Sequence, residues 1–304
     1  MRYRIEMIRR IICVAAIIAV IVTSGCGYGR PAPGQAADTA VTETATDVTD
    51  GTAAEVAELS VYFFQAGKAD AILLRTAEHT VLIDCGLKGY GKTVVNYLKQ
   101  RRTDTVDCLI ISHFDKDHVG GAAKVINKLQ VDRILQNDFM KDSKECENYL
   151  KAVDKAEIVP ETVTEDISFT YDGVRFEVSP AKAEYTEKTS NNRSLVVSVT
   201  AGETDLLFAG DIETDRIADY VSENKRSYEF LKVPHHGKEE PMMKELLASV
   251  QPGYAVITSS DDDPESEQVM SDIYDAGAEV FLTRVDPVML ATDGSDMKIY
   301  YVNP

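Results

Sequence analysis

Two histidines and two aspartates fall within six residues in His113-Phe114-Asp115-Lys116-Asp117-His118, directly after the apolar run Cys108-Leu109-Ile110-Ile111. A strand that stops and turns there can aim several nitrogen and oxygen donors at one point, as a divalent metal requires. Gly120 and Gly121 are then expected to let the backbone turn tightly into the next helix. A solvated polar loop could hold the same residue types, but this spacing followed by Gly-Gly is uncommon by chance. Leu206-Leu207-Phe208-Ala209-Gly210-Asp211 is a second strand-like run ending in Gly-Asp. Alone it reads as a turn, so its value lies in its order and spacing after the first motif. The third segment, Leu231-Lys232-Val233-Pro234-His235-His236-Gly237, again runs from a strand into a polar turn. Four of the five histidines lie in the first and third segments, leaving only His79 outside, and that concentration argues for one shared site.

The pattern HxDxDH resembles the metal signature of the metallo-β-lactamase superfamily, in the variant of ComEC-type competence domains, where Asp replaces the second His. The resemblance implies a four-layered αββα sandwich of the α/β class. It places His113 and Asp115 on one metal position and Asp117 and His118 on the other, with Asp211 bridging the two. His235-His236-Gly237 is similar to the His-His-Gly of these domains, with Lys238 where Ser is usual. It implies that His236 or His235 binds metal while the other orients substrate or transfers a proton. Asp117, His235 and His236 are the candidate catalytic residues, and His113, Asp115, Asp117, His118, Asp211 and His236 the candidate ligands. Asp84, at the end of Leu82-Ile83-Asp84-Cys85-Gly86, reads either as a turn residue or as support for those ligands. Asn191-Asn192-Arg193-Ser194 resembles the ComEC-type Asn-and-Ser motif, and Asn191, Asn192 and Ser194 are expected around the ligands, supplying an oxygen or shaping the turn. No His stands in that stretch, so an additional metal-binding His of the superfamily is missing. One or two divalent ions, Zn or Mn, are implied, the aspartates making the first position harder.

These motifs need a scaffold, and the chain supplies one from Leu59 onward. Strands are expected at 60–64, 71–74, 80–83, 108–111 and 133–135, at 195–199, 205–208, 228–233 and 254–258, and in hairpins around Asp172-Gly173 and Asp293-Gly294. Helical patterns cover 92–101, 121–129, 212–221, 241–250 and 265–276. One α/β domain over residues 58–304 fits this alternation better than two.

Ahead of it, residues 1–25 combine Arg2, Arg4, Arg9 and Arg10 with the apolar run Ile11 to Thr23, the layout of a signal peptide or N-terminal anchor. Thr23-Ser24-Gly25-Cys26 resembles a bacterial lipobox, with Cys26 the expected lipidation site and Thr23 where Leu or Val is usual. Residues 26–57 are rich in Ala, Thr and Asp and read as a flexible tether. The expected location is extracytoplasmic, tethered to the outer face of the cell membrane by lipid or anchor. The five cysteines do not suggest a disulfide framework.

With 32 Lys+Arg against 50 Asp+Glu the net charge is -18, which opposes passive binding to polyanions. Oxygen-rich metal sites suit phosphoester hydrolysis, because a bound ion can activate water and polarise the bond attacked. The leading expectation is a metal-dependent phosphodiesterase or nuclease acting on a phosphoester, with DNA as the substrate the ComEC resemblance implies. The rivals are hydrolysis of another ester, such as a cell-wall phosphoester or a lactone, and a non-catalytic surface binding module.

Overall fold

Strands that are apolar at nearly every position need cover on both faces, and two packed sheets with helices outside them provide it. The structure, a computed structural model, describes residues 58–182, 185 and 189–302. The segments 1–25 and 26–57, and Cys26 within them, lie outside the described residues.

The first sheet contains β1 (Leu59–Phe63), β2 (Ile72–Arg75), β3 (Thr80–Ile83), β4 (Thr105–Ile111), β5 (Gln130–Gln136) and β6 (Glu161–Thr162). The second contains β7 (Ile167–Tyr171), β8 (Val174–Ser179), β9 (Val196–Ala201), β10 (Thr204–Phe208), β11 (Phe230–Lys232), β12 (Tyr254–Ile257) and β13 (Glu279–Leu282). The chain then returns to the first sheet with β14 (Val288–Thr292) and β15 (Met297–Tyr301), giving the orders β15-β14-β1-β2-β3-β4-β5-β6 and β13-β12-β11-β10-β9-β8-β7. Strands β3 to β6 are mutually parallel, as are β10 to β13.

Alternate residues of each strand serve different layers. Phe63, Ile72, Val81 and Ile110 meet Phe176, Val197, Phe208 and Phe230 between the sheets. There the Phe230 ring lies 5.5 Å from Phe63 and 5.6 Å from Phe208. Leu73, Leu82, Leu109 and Ile111 point outward, into the core that includes buried residues of α1 (Gly91–Gln100), α3 (Ala122–Ile126) and α4 (Lys144–Lys155). On the opposite side Leu207, Leu231 and Ile257 pack with α5 (Thr214–Glu223), α6 (Met243–Val250) and α7 (Glu267–Asp275). The result is the αββα sandwich expected from the sequence. No helix among the described residues is long and apolar enough to cross a membrane.

Helix α4 and strand β13 add to the sequence reading. Ser143 caps α4 by accepting from the Cys146 N–H, and the helix buries Cys146, Tyr149, Ala152 and Val153. Asp172 and Gly173 both adopt positive φ, 48° and 79°, in the hairpin turn their sequence suggested. The two glycines after the first motif act differently from expectation. Gly120 and Gly121 have ordinary helical φ values of -56° and -81°, so the turn does not demand them. Close packing does, since a Cβ on Gly121 would sit 2.1 Å from the Cys85 carbonyl oxygen.

Candidate metal centre

Parallel strands from both sheets end at the same place, and their carboxyl ends carry the polar residues, as is usual for sites in α/β sheets. Asp84 follows β3, His113 follows β4, Asp211 follows β10, and His236 follows β11. Asp117 and His118 lie on the one-turn helix α2 (Lys116–Val119), which begins just after Asp115.

His118 Nε2 stands 3.1 Å from Asp211 Oδ2 and 3.3 Å from His236 Nε2. His236 Nε2 is 3.1 Å from the same Asp211 oxygen and 3.6 Å from Asp117 Oδ2. The outer nitrogens are fixed. His118 Nδ1 faces Asp84 Oδ2 at 2.8 Å, and His236 Nδ1 donates to the Thr258 carbonyl at 2.9 Å. Both Nε2 atoms are thereby turned inward. Asp84, at φ 57°, also accepts from the Ser112 N–H and hydroxyl at 2.9 and 2.5 Å. Its left-handed backbone is a strained conformation held by those bonds. His113 is fully buried, and its Nε2 has no hydrogen-bond partner. An orphaned buried nitrogen beside converging imidazoles and carboxylates fits a divalent cation, and the mixed N and O donors suit Zn²⁺ or Mn²⁺.

Burial disfavours charge on His118, but Asp211 and Asp84 outweigh it and hold its pKa well above the usual imidazole value. His113 goes the other way, pushed to about 4 by burial and by the neighbouring His118. Burial would raise Asp117, yet the adjacent His236 and His118 hold it well below the carboxylate range.

A buried lysine lies behind these donors. Lys232 Nζ sits 2.5 Å from Asp70 Oδ2, 3.5 Å from Asp211 Oδ1 and 3.1 Å from the Gly210 carbonyl, with Lys232 and Asp70 at 0% and 1% exposure. Asp70 also accepts from Thr258 Oγ1 at 2.6 Å. Lys232 therefore fixes the Asp211 loop from one side, while Ser194 Oγ accepts from the Asp211 N–H on the other.

His235, His236 and Gly237 all take positive φ, 51°, 53° and 73°. This run separates the adjacent imidazoles. His236 enters the donor cluster, whereas His235 Nδ1 pairs with Glu240 Oε1 at 2.9 Å and its Nε2 lies 3.3 Å from Asn191 Nδ2. Asn191 donates to Glu213 Oε1 at 2.9 Å, and Asn192 Oδ1 accepts from the Glu213 N–H at 3.0 Å. Both asparagines thus brace the turn after Asp211 and the His235 ring.

Asp115 stands apart. Both its oxygens are 2.9 Å from Lys141 Nζ, and it reaches His113 Nε2 only at 3.9 Å. The donor atoms lying within 4.8 Å of one another fall into sets that include His113, His118 and Asp211, and Asp117, His118 and His236; Asp115 belongs to neither. A cavity of about 340 Å³ opens over the centre, with Lys68, Lys116, Lys141, Asp117, His235 and His236 among its walls.

The structure thus gathers His113, Asp117, His118, Asp211 and His236, and surrounds them with Asp84, Asn191, Asn192 and Ser194. Lys141, Lys232, Glu213 and Glu240 escaped the sequence reading. For Lys232 a signal existed, a charged residue inside an otherwise apolar strand.

Such a fold, with histidines and aspartates converging at the carboxyl ends of strands from two sheets, defines an α/β protein built to hold metal. The metallo-beta-lactamase superfamily profile matches residues 65–259, and the chain belongs to that superfamily, whose members are in general metal-dependent hydrolases binding one or two ions. Competence protein ComA of Neisseria gonorrhoeae is 27% identical over 208 residues, 66% of this chain and 27% of that protein. ComE operon protein 3 of Bacillus subtilis (strain 168) is 27% identical over 172 residues, 55% of this chain and 22% of that one. The chain therefore spans about a quarter of the length of these curated relatives. The metallo-beta-lactamase fold protein YhfI from Bacillus subtilis superposes with a TM-score of 0.51 at 11% identity, over 74% of this chain and 96% of that one. CmlA, a diiron beta-hydroxylase from Streptomyces venezuelae, gives 0.51 at 12% identity, over 81% and 54%. These two likenesses concern the fold alone.

Proposed function

We propose that this hydrolase is a phosphodiesterase acting outside the cytoplasm. The observation that carries the reading is the cavity, which has the mixed imidazole and carboxylate donor set at its base and Lys68, Lys116 and Lys141 among its walls. Carboxylates suit a hard cation, and lysines suit an anionic ester. Asp117, His118, Asp211 and His236 would hold the principal ion, with His113 facing the same space. When bound, a divalent ion supplies Lewis acidity and makes hydroxide available near neutral pH. The chain's own residues supply the rest. His235, whose Nδ1 donates to Glu240 and whose Nε2 is left as an acceptor, lines the cavity as the proton-transfer residue. Lys116 and Lys68 orient the phosphoryl oxygens, and the buried Asp70 and Lys232 hold Asp211 in place.

DNA is the substrate suggested by the competence-protein relatives. A smaller ester, such as a cell-wall phosphoester or a lactone, is the second reading. The net charge of -18 favours it, as does the pairing of Lys68 with Asp263 at 3.0 Å and of Lys141 with Asp115, which leaves the rim less basic than a polyanion groove requires.

The test is hydrolysis of bis(p-nitrophenyl) phosphate and of single- and double-stranded DNA with Mn²⁺ or Zn²⁺, beside Asp117→Ala. Metal-dependent turnover lost in the variant supports the phosphodiesterase reading, and DNA cutting extends it to a nuclease. No turnover by metal-loaded protein rejects it in favour of another ester. Metal-independent silence, with no ion bound, leaves the non-catalytic binding module. Membrane tethering through Cys26 belongs to the same proposal. Cys26→Ser should release the protein from the membrane fraction, and unchanged fractionation would leave an uncleaved anchor as the tether.

A further inference from the structure

We infer that Lys141 makes the metal centre unequal: one ion is held tightly by Asp117, His118, Asp211 and His236, and a second position beside His113 fills only weakly because the Lys141 ammonium holds Asp115. The inference rests on the reading of this site as a metal centre and concerns how the two positions divide the donors.

On the tight side, two imidazole nitrogens and oxygens from two carboxylates lie within 3.1 to 3.6 Å of a neighbour in the set. Two carboxylates and two neutral imidazoles offset the charge of one divalent ion. The second side is poorer. His113 Nε2 has no hydrogen-bond partner, and Asp115, the carboxylate nearest to it at 3.9 Å, has both oxygens 2.9 Å from Lys141 Nζ. The Asp115–Lys141 pair is neutral and the ammonium faces both oxygens, so a cation must displace or share Asp115 with Lys141. What remains is His113 and a share of Asp211, two donors where a stable ion wants three or four.

Lys141 is placed for this by the loop between β5 and α4. Asn137, buried at 3% exposure, anchors that loop by donating to the Ser112 carbonyl at 3.2 Å and the Arg193 carbonyl at 2.9 Å. Three residues beyond Met140, the Ser143 cap starts α4 and fixes the other end of the loop. The lysine side chain itself keeps 40% exposure, so its replacement disturbs little packing.

The experiment is a metal count on the full chain. Protein stripped with chelator is titrated calorimetrically with Mn²⁺ and with Zn²⁺, and the ions retained through gel filtration are measured by elemental analysis. Wild-type protein should retain one equivalent. Lys141→Met, which keeps the stem and removes the charge, should retain two, its second site tightened by about 10–100-fold, while Lys141→Arg stays at one. Asp115→Asn should leave the single tight ion in place, with far-UV circular dichroism confirming that each variant is folded. Two equivalents of similar affinity in wild-type protein, or one equivalent in Lys141→Met, overturns the inference and leaves the metal centre standing. Retention of no ion by wild-type protein overturns the metal centre and the inference together.

Discussion

Replacing Lys232 with Met isolates the contribution of a charge that the fold buries completely. The methionine stem fills nearly the same volume, so the change removes an ammonium from Asp70 at 2.5 Å, from the Gly210 carbonyl at 3.1 Å and from Asp211 at 3.5 Å. Asp70 is left with the Thr258 hydroxyl as its remaining close hydrogen-bond donor. Breaking a buried ion pair from one side costs about 3–5 kcal/mol, because the surviving charge stays desolvated. Against a total stability on the order of 5–15 kcal/mol, this is a large share, and the urea midpoint of metal-free protein should fall by roughly 1–2 M. Asp70→Asn should partly rescue the loss, so the double variant falls short of the sum of the single ones by about 1–3 kcal/mol. Excess Mn²⁺ should narrow the deficit, since Asp211 is among the proposed ligands. A Lys232→Met midpoint within error of wild type, or strict additivity with Asp70→Asn, refutes the reasoning.

Other residues give equally direct tests. Gly121→Ala forces a Cβ to 2.1 Å from the Cys85 carbonyl, so Tm should drop by several degrees for an overpacking cost of about 1–3 kcal/mol; an unchanged melt contradicts the close-packing account. His235→Gln and Glu240→Gln should each lower kcat by about 10²–10⁴-fold while the retained metal stays constant; loss of metal would reassign His235 as a ligand. Chelation should lower the melting temperature of wild-type protein by about 5–10 °C relative to metal at a hundredfold excess over Kd, the equivalent of about 2.7 kcal/mol. The His79–Asp172 pair at 3.0 Å gives a pH signature. Its hydrogen bond raises His79, and that stability is complete below about pH 6.5 and fades as pH rises through the folded value. The bonds from His79, Thr76 and the Glu78 N–H lower Asp172, whose contribution is present above about pH 4 and fades as pH falls through its own folded value. The stability difference between wild type and His79→Gln should therefore peak at about pH 4–6.5, at under about 1 kcal/mol because both side chains keep solvent contact. A flat difference across pH would count against the pairing.

The motifs were legible because the fold brings them together in short contiguous runs, each just past a strand rich in Val, Ile, Leu and Phe. His113 to His118, Gly210-Asp211 and His235-His236 each follow such a run, and the αββα layering came with the family resemblance those runs carry, the alternation of strands and helices alone giving only an α/β domain. What the sequence concealed depends on contacts between distant segments. Asp70 and Lys232 are 162 positions apart, and nothing local to either predicts the other. Lys141 looks like one more solvated charge in a polar loop until β5 and α4 bring it to Asp115. Helix α4 was hidden because its buried face holds Cys146, Tyr149, Ala152 and Val153, a weakly apolar set flanked by charges. The division of labour between His235 and His236 rests on three successive left-handed residues, and only Gly237 advertises that conformation in sequence.

The pairing of β1 with β14 has a consequence for the order of folding. Leu59 lies opposite Thr292 and Phe63 opposite Val288, so the first strand of the sandwich has a neighbour synthesised more than two hundred residues later. Until that hairpin arrives, the outer edge of β1 is an unpaired ladder beside a half-built interior, a surface that invites association with other chains. Long-range closure of this kind slows folding, and it makes β14 and β15 the latch of the first sheet. A nascent or clipped chain lacking residues 288–301 would keep every proposed metal donor and still have its first sheet open along β1.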